Sequence, residues 1–480
     1  MDKTTFYVLT DTHYVSPKNW VEGEPINRRE RGDQIALKAT PQILDAFFEK
    51  ILADDEAETV IFTGDNVNNG DRNSHEEFRA RLKKLAAAGK NVYVVNATHD
   101  YCGAGDDENG FNACRYTETG TEPIPFLRKS ELFDYYYDFG PRQAISVHRE
   151  SRSYVVQLCS GVRLCMIDDN GNGRSHCGLF EDGVQWLTNE LQSANKAGDF
   201  VLLAVHHPVL PPWDVFRHVA DYELYGGYRA LWELMCQENV RVIFTGHTHV
   251  QNIRKYTDEN GRAFYDVSTI AIANAAGKMR RVTVDAKAGL CDIQSVGIET
   301  LAGETQGRTS FDRLYALNFP GILEKLLPLG TRDADAFLVL AGGVLPVDKL
   351  QKHKRLIPLT CRKLQKLRLS TLAKLGGSWR KLSAAQRNYA KQTHAAEMIF
   401  TILRHIYPGN APYTPDTAEN IICSSLAKRA DQIVQRLHLE SVQKLIPPGS
   451  SLCEMMQDFL YNNRTGNDDA ICISLRSVDT

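Results

Sequence analysis

Five times in its first 250 residues the chain drives a short β-branched or aromatic run straight into a turn bearing aspartate, histidine or asparagine. "TTFYVLT" ends at Asp11-Thr12-His13, "TVIFT" at Gly64-Asp65-Asn66, "NVYVV" at Asn96 to Asp100, "DFVLLAV" at His206-His207-Pro208 and "VRVIFT" at Gly246 to His249. Short runs of this kind read as strands. Between them, "PQILDAFFEKILADD" and "EEFRARLKKLAAAG" repeat apolar residues at intervals of three and four, the period of a helix packed on one face. Strand, helix, strand order predicts a layered α/β fold whose polar turns gather at strand carboxyl ends. "VRLCMIDDNGNG" and "GRAFYDVSTIAIA" predict further strands, of a second sheet.

Carboxylates and imidazoles crowded at one sheet edge are costly unless something positive neutralises them. Two aspartates and four histidines without a thiolate suit manganese, iron, zinc or cobalt better than calcium or magnesium. Two such ions about 3.5–4 Å apart can share a carboxylate and clamp both oxygens of a phosphoryl displacement.

In order and context, "DTH", "GDNVNNG", "THD", "HHP" and "GHTH" resemble the five signature blocks of the calcineurin-like metallophosphoesterases, D-x-H, G-D, G-N-H-D/E, H-x-P and G-H-x-H. The resemblance covers about residues 5 to 295. It implies a two-sheet sandwich flanked by helices over residues 1–300, hydrolysing a phosphodiester or phosphomonoester by attack of a metal-bound hydroxide at a dinuclear centre. The two divalent ions would be manganese or iron, with zinc and cobalt as alternatives. Carried over by position, Asp11, His13 and His249 hold one metal, Asp65 bridges, and His206 and His247 hold the other. His207 is a neighbour of the ligand. His99 protonates the leaving group or stabilises the equatorial oxygens, and Asp100 orients His99 through its other ring nitrogen.

Thr98 stands where the family carries an asparagine ligand. A threonine hydroxyl is a weaker donor; Asn96, on the same side of the strand if the strand persists that far, is one replacement and water another. Arg28, Arg29 and Arg31 follow the first block as candidate phosphate contacts. Trp213, Phe216, Tyr222 and Tyr225 follow the fourth, to stack a base or cover the core. "DDNGNGRSHCG" suits a third rim loop, with Asp168, Asp169 and Asn170 in a loop role. His75, His176 and His218 read as ordinary polar residues.

After about residue 310 the pattern turns helical, predicting a mainly α-helical C-terminal domain over 310–480. In it Ile422, Leu426, Ala430, Ile433 and Leu437 mark one helix face. Charge changes at the same point. Residues 1–309 carry 33 Lys+Arg against 44 Asp+Glu, and residues 310–480 carry 23 against 15. From Lys349 to Lys391 there are 13 Lys+Arg and no acid, with Leu364, Leu367, Leu372 and Leu375 interleaved in an amphipathic pattern. Such a segment can dock on the acidic domain, or bind nucleic acid or an anionic membrane. Eleven scattered cysteines read as reduced thiols, and no transmembrane run or leader is evident, which predicts a cytoplasmic protein. The rival reading is a decayed phosphoesterase serving as a nucleic-acid- or membrane-binding scaffold through its basic tail. The intact His99-Asp100 pair argues against it.

Overall fold

The computed structural model describes residues 2–476 except 103–112, 171–176, 217–222, 275–276, 299, 304–306, 311–318, 438–445, 448 and 462–465. β1 (Lys3–Leu9) pairs in parallel with β2 (Ala57–Thr63), and β2 with β3 (Asn91–Val95). The helices Thr40–Leu52 and Arg72–Ala87 make the crossovers that parallel pairing requires. β4 (Cys114–Tyr116) and β5 (Thr121–Pro123) form a small hairpin. A second sheet then takes up β6 (Ser146–His148), β7 (Ser153–Cys159), β8 (Val162–Ile167), β9 (Phe200–Val205), β10 (Val242–Thr245), β11 (Asn252–Thr257) and β12 (Ala263–Ser268). Its order is β11-β12-β10-β9-β8-β7-β6, with β8, β9, β10 and β12 parallel. β13 (Lys278–Asp285) and β14 (Leu290–Gly297) return to the first sheet beside β1, antiparallel. β15 (Thr300–Gly303) and β16 (Gly307–Ser310) close a second hairpin.

Both faces of the central strands are buried, which is why they read as continuous apolar runs rather than alternating ones. Phe6 and Val8 of β1 point between the sheets, against Leu164, Leu202 and Phe244. Tyr7 and Leu9 point the other way, under the helices with Phe47, Phe62 and Phe78. Phe62 and Phe78 meet edge to face at 5.4 Å, worth about 0.5–1.5 kcal/mol beyond the area they bury. The outer face of the second sheet is covered by the helices Glu181–Ala197 and Tyr228–Gln237. The two-sheet sandwich is therefore built as expected.

The helical lobe runs from Phe319 to Leu460 and packs as two apolar clusters. Part of the basic segment is an amphipathic helix as expected, Ile357–Lys366, and the rest is shared among further short helices that include Leu369–Leu375 and Ala384–Gln392, with Leu364 and Leu375 exposed. Two features differ from the expectation. On the helix Ala418–Arg436 the buried side shifts toward its C-terminus, so that Val434 is buried while Ile433 and Leu437 are exposed. Finally, the tail does not stay helical. β17 (Ala470–Ser474) returns to the first sheet and pairs antiparallel with β14, placing Ile473 between the sheets. The outer edge of β14 offers unpaired backbone groups, and the alternation Ile471, Ile473, Leu475 supplies a strand with one apolar face. None of the eleven cysteines is disulfide-bonded. No helix among the described residues is long and apolar enough to cross a membrane.

Candidate metal centre

All five polar turns sit at the carboxyl ends of β1, β2, β3, β9 and β10, and the two sheets bring them to one edge. Asp11, His13, Asp65, His247 and His249 all have a left-handed backbone, φ between 41° and 66°. Such a conformation costs of order 1–3 kcal/mol per residue and survives only where the surroundings fix it. They do so here. Asp11 N donates to Gly64 O, His13 N to Asp65 O, and His247 N to the Asp11 carboxylate. Gly64, at φ 101°, is packed so tightly that a Cβ would lie 2.6 Å from Ala97 and 2.8 Å from the His206 ring.

Two groups of ligand-type atoms form, Asp11 with His13 and His249, and Asp65 with His206 and His247. Asp65 also groups with His13 and His99, so it stands between the two. His13 Nε2 lies 3.0 Å from His249 Nε2 and 3.7 Å from Asp11 Oδ1. Asp65 Oδ2 lies 3.1 Å from His206 Nε2 and 3.8 Å from His13 Nε2.

Three of the four imidazoles are oriented from behind. His206 Nδ1 donates to Thr63 O at 2.9 Å, which turns its Nε2 toward Asp65. Asn68 Oδ1 receives His13 Nδ1 at 3.3 Å, and Glu223 Oε2 receives His247 Nε2 at 2.6 Å. Asp11 Oδ2 accepts from Thr10 Oγ1 and His247 N, whereas its Oδ1 is buried without a hydrogen bond. His206 Nε2, His247 Nδ1 and Asn96 Oδ1 are buried and unbonded likewise. Around Asp11, His206 and His247, acceptor atoms brought together without donors are what a divalent cation would satisfy, and the residues present fit one.

The electrostatics say the same. Burial pushes the Asp11 carboxyl up, but the imidazoles of His206 and His249 overcome this and hold it well below the carboxylate range. Burial pulls His206 down, but Asp65 and Asp11 lift it to about 9. Burial and the neighbouring His207 hold His247 at about 4, despite Glu223, so its ring is neutral. The carboxylates require positive charge between them.

Several expected roles are redistributed. Asp100 does not hold the His99 ring: His99 Nδ1 donates to Asn68 O at 2.7 Å. The Asp100 carboxylate turns inward instead and accepts from Asn66 Nδ2, Val67 N and Ala97 N. Burial, then Asp65, lifts it to about 7. β3 ends at Val95, so Asn96 and Thr98 do not share a strand face. Both are buried. Asn96 O is held by Asn170 Nδ2 at 2.8 Å. Of the three arginines, Arg29 lines the central cavity and pairs with Asp33, while Arg28 is exposed outside it. Adjacent residues on the helix Glu24–Arg31 point about 100° apart, so one cavity takes only one. Arg31 pairs with Glu24 and reaches Gly342 O. Trp213 covers the lobe, stacked on Phe459 at 5.2 Å, and Tyr225 is buried, whereas Phe216 lines the cavity. His75 is fully buried and bonds Tyr136 Oη and Asp100 O. Tyr222, His176 and His218 lie outside the described residues, as does most of the third rim loop.

Sequence reasoning missed Asn68, Glu223 and Asp169 as supports. Asp169 is fully buried and accepts from His207 Nδ1 and N at 2.9 Å, beside Cys177. Asp168 pairs with Arg152. The signal for Asp169 was its place at the end of β8, next to β9. The central cavity, about 490 Å³, is lined by His13, Asp65, Asn68, His99, His247 and His249, with Arg29, Asp33, Phe216 and Glu223 toward the rim.

The family model described as "calcineurin-like phosphoesterase" matches residues 4–251. A probable glycerophosphodiester phosphodiesterase, GpdQ, of Arcobacter nitrofigilis is 27% identical over 192 residues, 40% of this chain and 56% of that protein. The sphingomyelin phosphodiesterase of Homo sapiens is 26% identical over 165 residues, 30% of this chain and 24% of that protein. The chain thus spans less than two thirds of either relative. Among solved structures, a dimetal phosphatase from Danio rerio aligns with a TM-score of 0.41 at 13% identity, covering 61% of this chain and 96% of that one.

Proposed function

We propose, from the premise that this chain belongs to the calcineurin-like phosphoesterase family, that it is a metal-dependent hydrolase of phosphate esters, with a phosphodiester as substrate. The observation that carries this is the convergence of Asp11, His13 and His249 with Asp65, His206 and His247, with Asp11 Oδ1, His206 Nε2 and His247 Nδ1 buried without a hydrogen bond and Asp65 between the two groups. Asp11, His13 and His249 would hold one divalent ion, His206, His247 and the Asn96 amide oxygen the other, and Asp65 would touch both. Manganese or iron suits this donor set, zinc or cobalt next. When bound, such a pair lowers the pKa of water and neutralises charge developing on the phosphoryl oxygens.

The chain's own residues supply orientation and proton management. Asn68 O fixes the His99 tautomer with the proton on Nδ1, because a carbonyl only accepts. Nε2 is then the nitrogen that gives a proton to the departing oxygen or bonds a phosphoryl oxygen. His99 N donates to Asp65 Oδ1 at 2.8 Å, which ties the acid's backbone to the shared carboxylate. Arg29, at the rim, is placed to receive a substituent's negative charge.

The test is hydrolysis of bis-p-nitrophenyl phosphate and p-nitrophenyl phosphate with manganese, beside His99→Ala. Manganese-dependent turnover of the diester, cut at least about 100-fold by His99→Ala, is expected. Absence of turnover with every divalent ion would shift the assignment to the scaffold reading.

A further inference from the structure

We infer that the helical lobe docks on an anionic phospholipid bilayer, through an apolar groove rimmed by lysine and arginine. The inference stands independently of the catalytic reading. The groove, about 370 Å³, lies among the helices Phe319–Gly330, Ala334–Ala341, Val347–Gln351 and Ile357–Lys366. Leu323, Leu327, Phe337, Leu350, Leu356 and Leu364 line it, and its polar lining is confined to His353 and Thr360 among the described residues. Its outer lip is not folded away: Leu356 is 55% exposed and Leu364 47%, and Leu359 alongside is 53% exposed. Three leucines open to solvent on one ten-residue stretch is an unusual surface for a chain to leave uncovered.

Residues 349–366 around it carry Lys349, Lys352, Arg355, Arg362, Lys363 and Lys366, all exposed. None of these six forms an ion pair among the described residues, and only Lys354 of this segment does, with Asp335 of the same lobe. The basic charge is therefore not spent on the acidic catalytic domain. Lysine and arginine flanking leucines at one surface is the pattern of an interfacial helix, with apolar side chains in the acyl boundary and cationic heads at the lipid phosphates.

Nucleic acid would be gripped differently. A single strand is gripped by cations interleaved with aromatic faces, and this segment interleaves them with leucine. Its two aromatic side chains are engaged elsewhere, Trp379 under Lys374 and Lys391, and Tyr389 donating to Glu419. The lobe also joins the catalytic rim. Phe319 N donates to Asp33 O and Arg31 Nε to Gly342 O, and Asp33 lines the central cavity.

Vesicle flotation of the whole chain decides the matter, comparing phosphatidylcholine with phosphatidylcholine containing about one-third phosphatidylserine. Flotation with the anionic vesicles alone is expected, weakened by salt. Lys352→Glu and Lys363→Glu should each lower partitioning by about fivefold or more. Leu356→Asp with Leu364→Asp should abolish it, at unchanged circular dichroism, since both side chains are already exposed. No flotation, flotation unaffected by these changes, equal binding to neutral vesicles, or competition by duplex DNA would each overturn the inference. So would a dimer that the leucine changes dissolve while no vesicle is bound, which would assign the groove to a second copy.

Discussion

Thr98 sits in the third block where a metal ligand is expected, and Asn96, two residues upstream, is the replacement proposed above. β3 stops at Val95, which frees Asn96 from the sheet's alternation, and its amide oxygen is buried without a hydrogen bond. An unmet buried acceptor costs about 1–3 kcal/mol. Coordination would remove that cost. Asn96→Ala is therefore expected to lower bound manganese from about two ions per chain toward about one, while Thr98→Ala leaves it unchanged. Elemental analysis of the purified variants reads this directly, and the reverse pattern would return the role to Thr98. His99→Ala should keep the metal and lose turnover, because its ring is oriented by Asn68 O and not by a shared ligand. The six ligand-type Asp and His were legible because each lies within a few residues of the end of a strand, on four strands in all. Asn68, Glu223 and Asp169 were not, because their roles depend on which turns face each other across two sheets. Asp100 was misassigned for the same reason: adjacency to His99 in sequence placed its carboxylate on the opposite side, under Asn66 and Val67.

Between elements, the turn after β9 is tied to β12 by one buried carboxylate. Asp266 accepts from Thr245 Oγ1 at 2.6 Å and from Val209 N and Leu210 N at 2.8 Å each. Burial raises it to about 6, against its bonding partners and Arg254. The unfolded chain releases this proton near pH 4. The folded protein thus binds it more tightly, and the stability so gained is present below about pH 4 and lost as pH rises through about 6. Asp266→Asn should flatten the fall in melting temperature across that window, a difference of at most about 3 kcal/mol. Parallel profiles for parent and variant would remove Asp266 as the cause. Helix and strand periods located most elements, including both crossovers of the first sheet. At the basic segment they located a helix but not its end, because the leucine spacing runs on across a break at Leu367 and Arg368.

Across the whole molecule, the two halves are stitched rather than strung together. Asp468 accepts from Asn252 Nδ2, Ile253 N and Asn410 N, joining the second sheet to the lobe, and Gln251 N donates to Tyr407 O just beyond His249. The fully buried Arg280 donates to the carbonyls of Ser268 and Asp468. Ile473→Ala should cost about 2–5 kcal/mol and lower one shared transition in calorimetry. Two separate transitions, only one of them shifted, would show that the lobe and the sandwich melt independently. The change to helix and to positive charge near residue 310 was legible, but the return of β17 was not, since five residues carry little periodicity of their own. β17 has a consequence for synthesis. Until Ser474 has emerged from the ribosome, the outer edge of β14 has no neighbour, while the five polar turns, all encoded before residue 250, are already outside. A nascent chain can therefore assemble its chemistry well before it can close its first sheet, and a stalled ribosome displays an open strand edge that invites pairing with other chains.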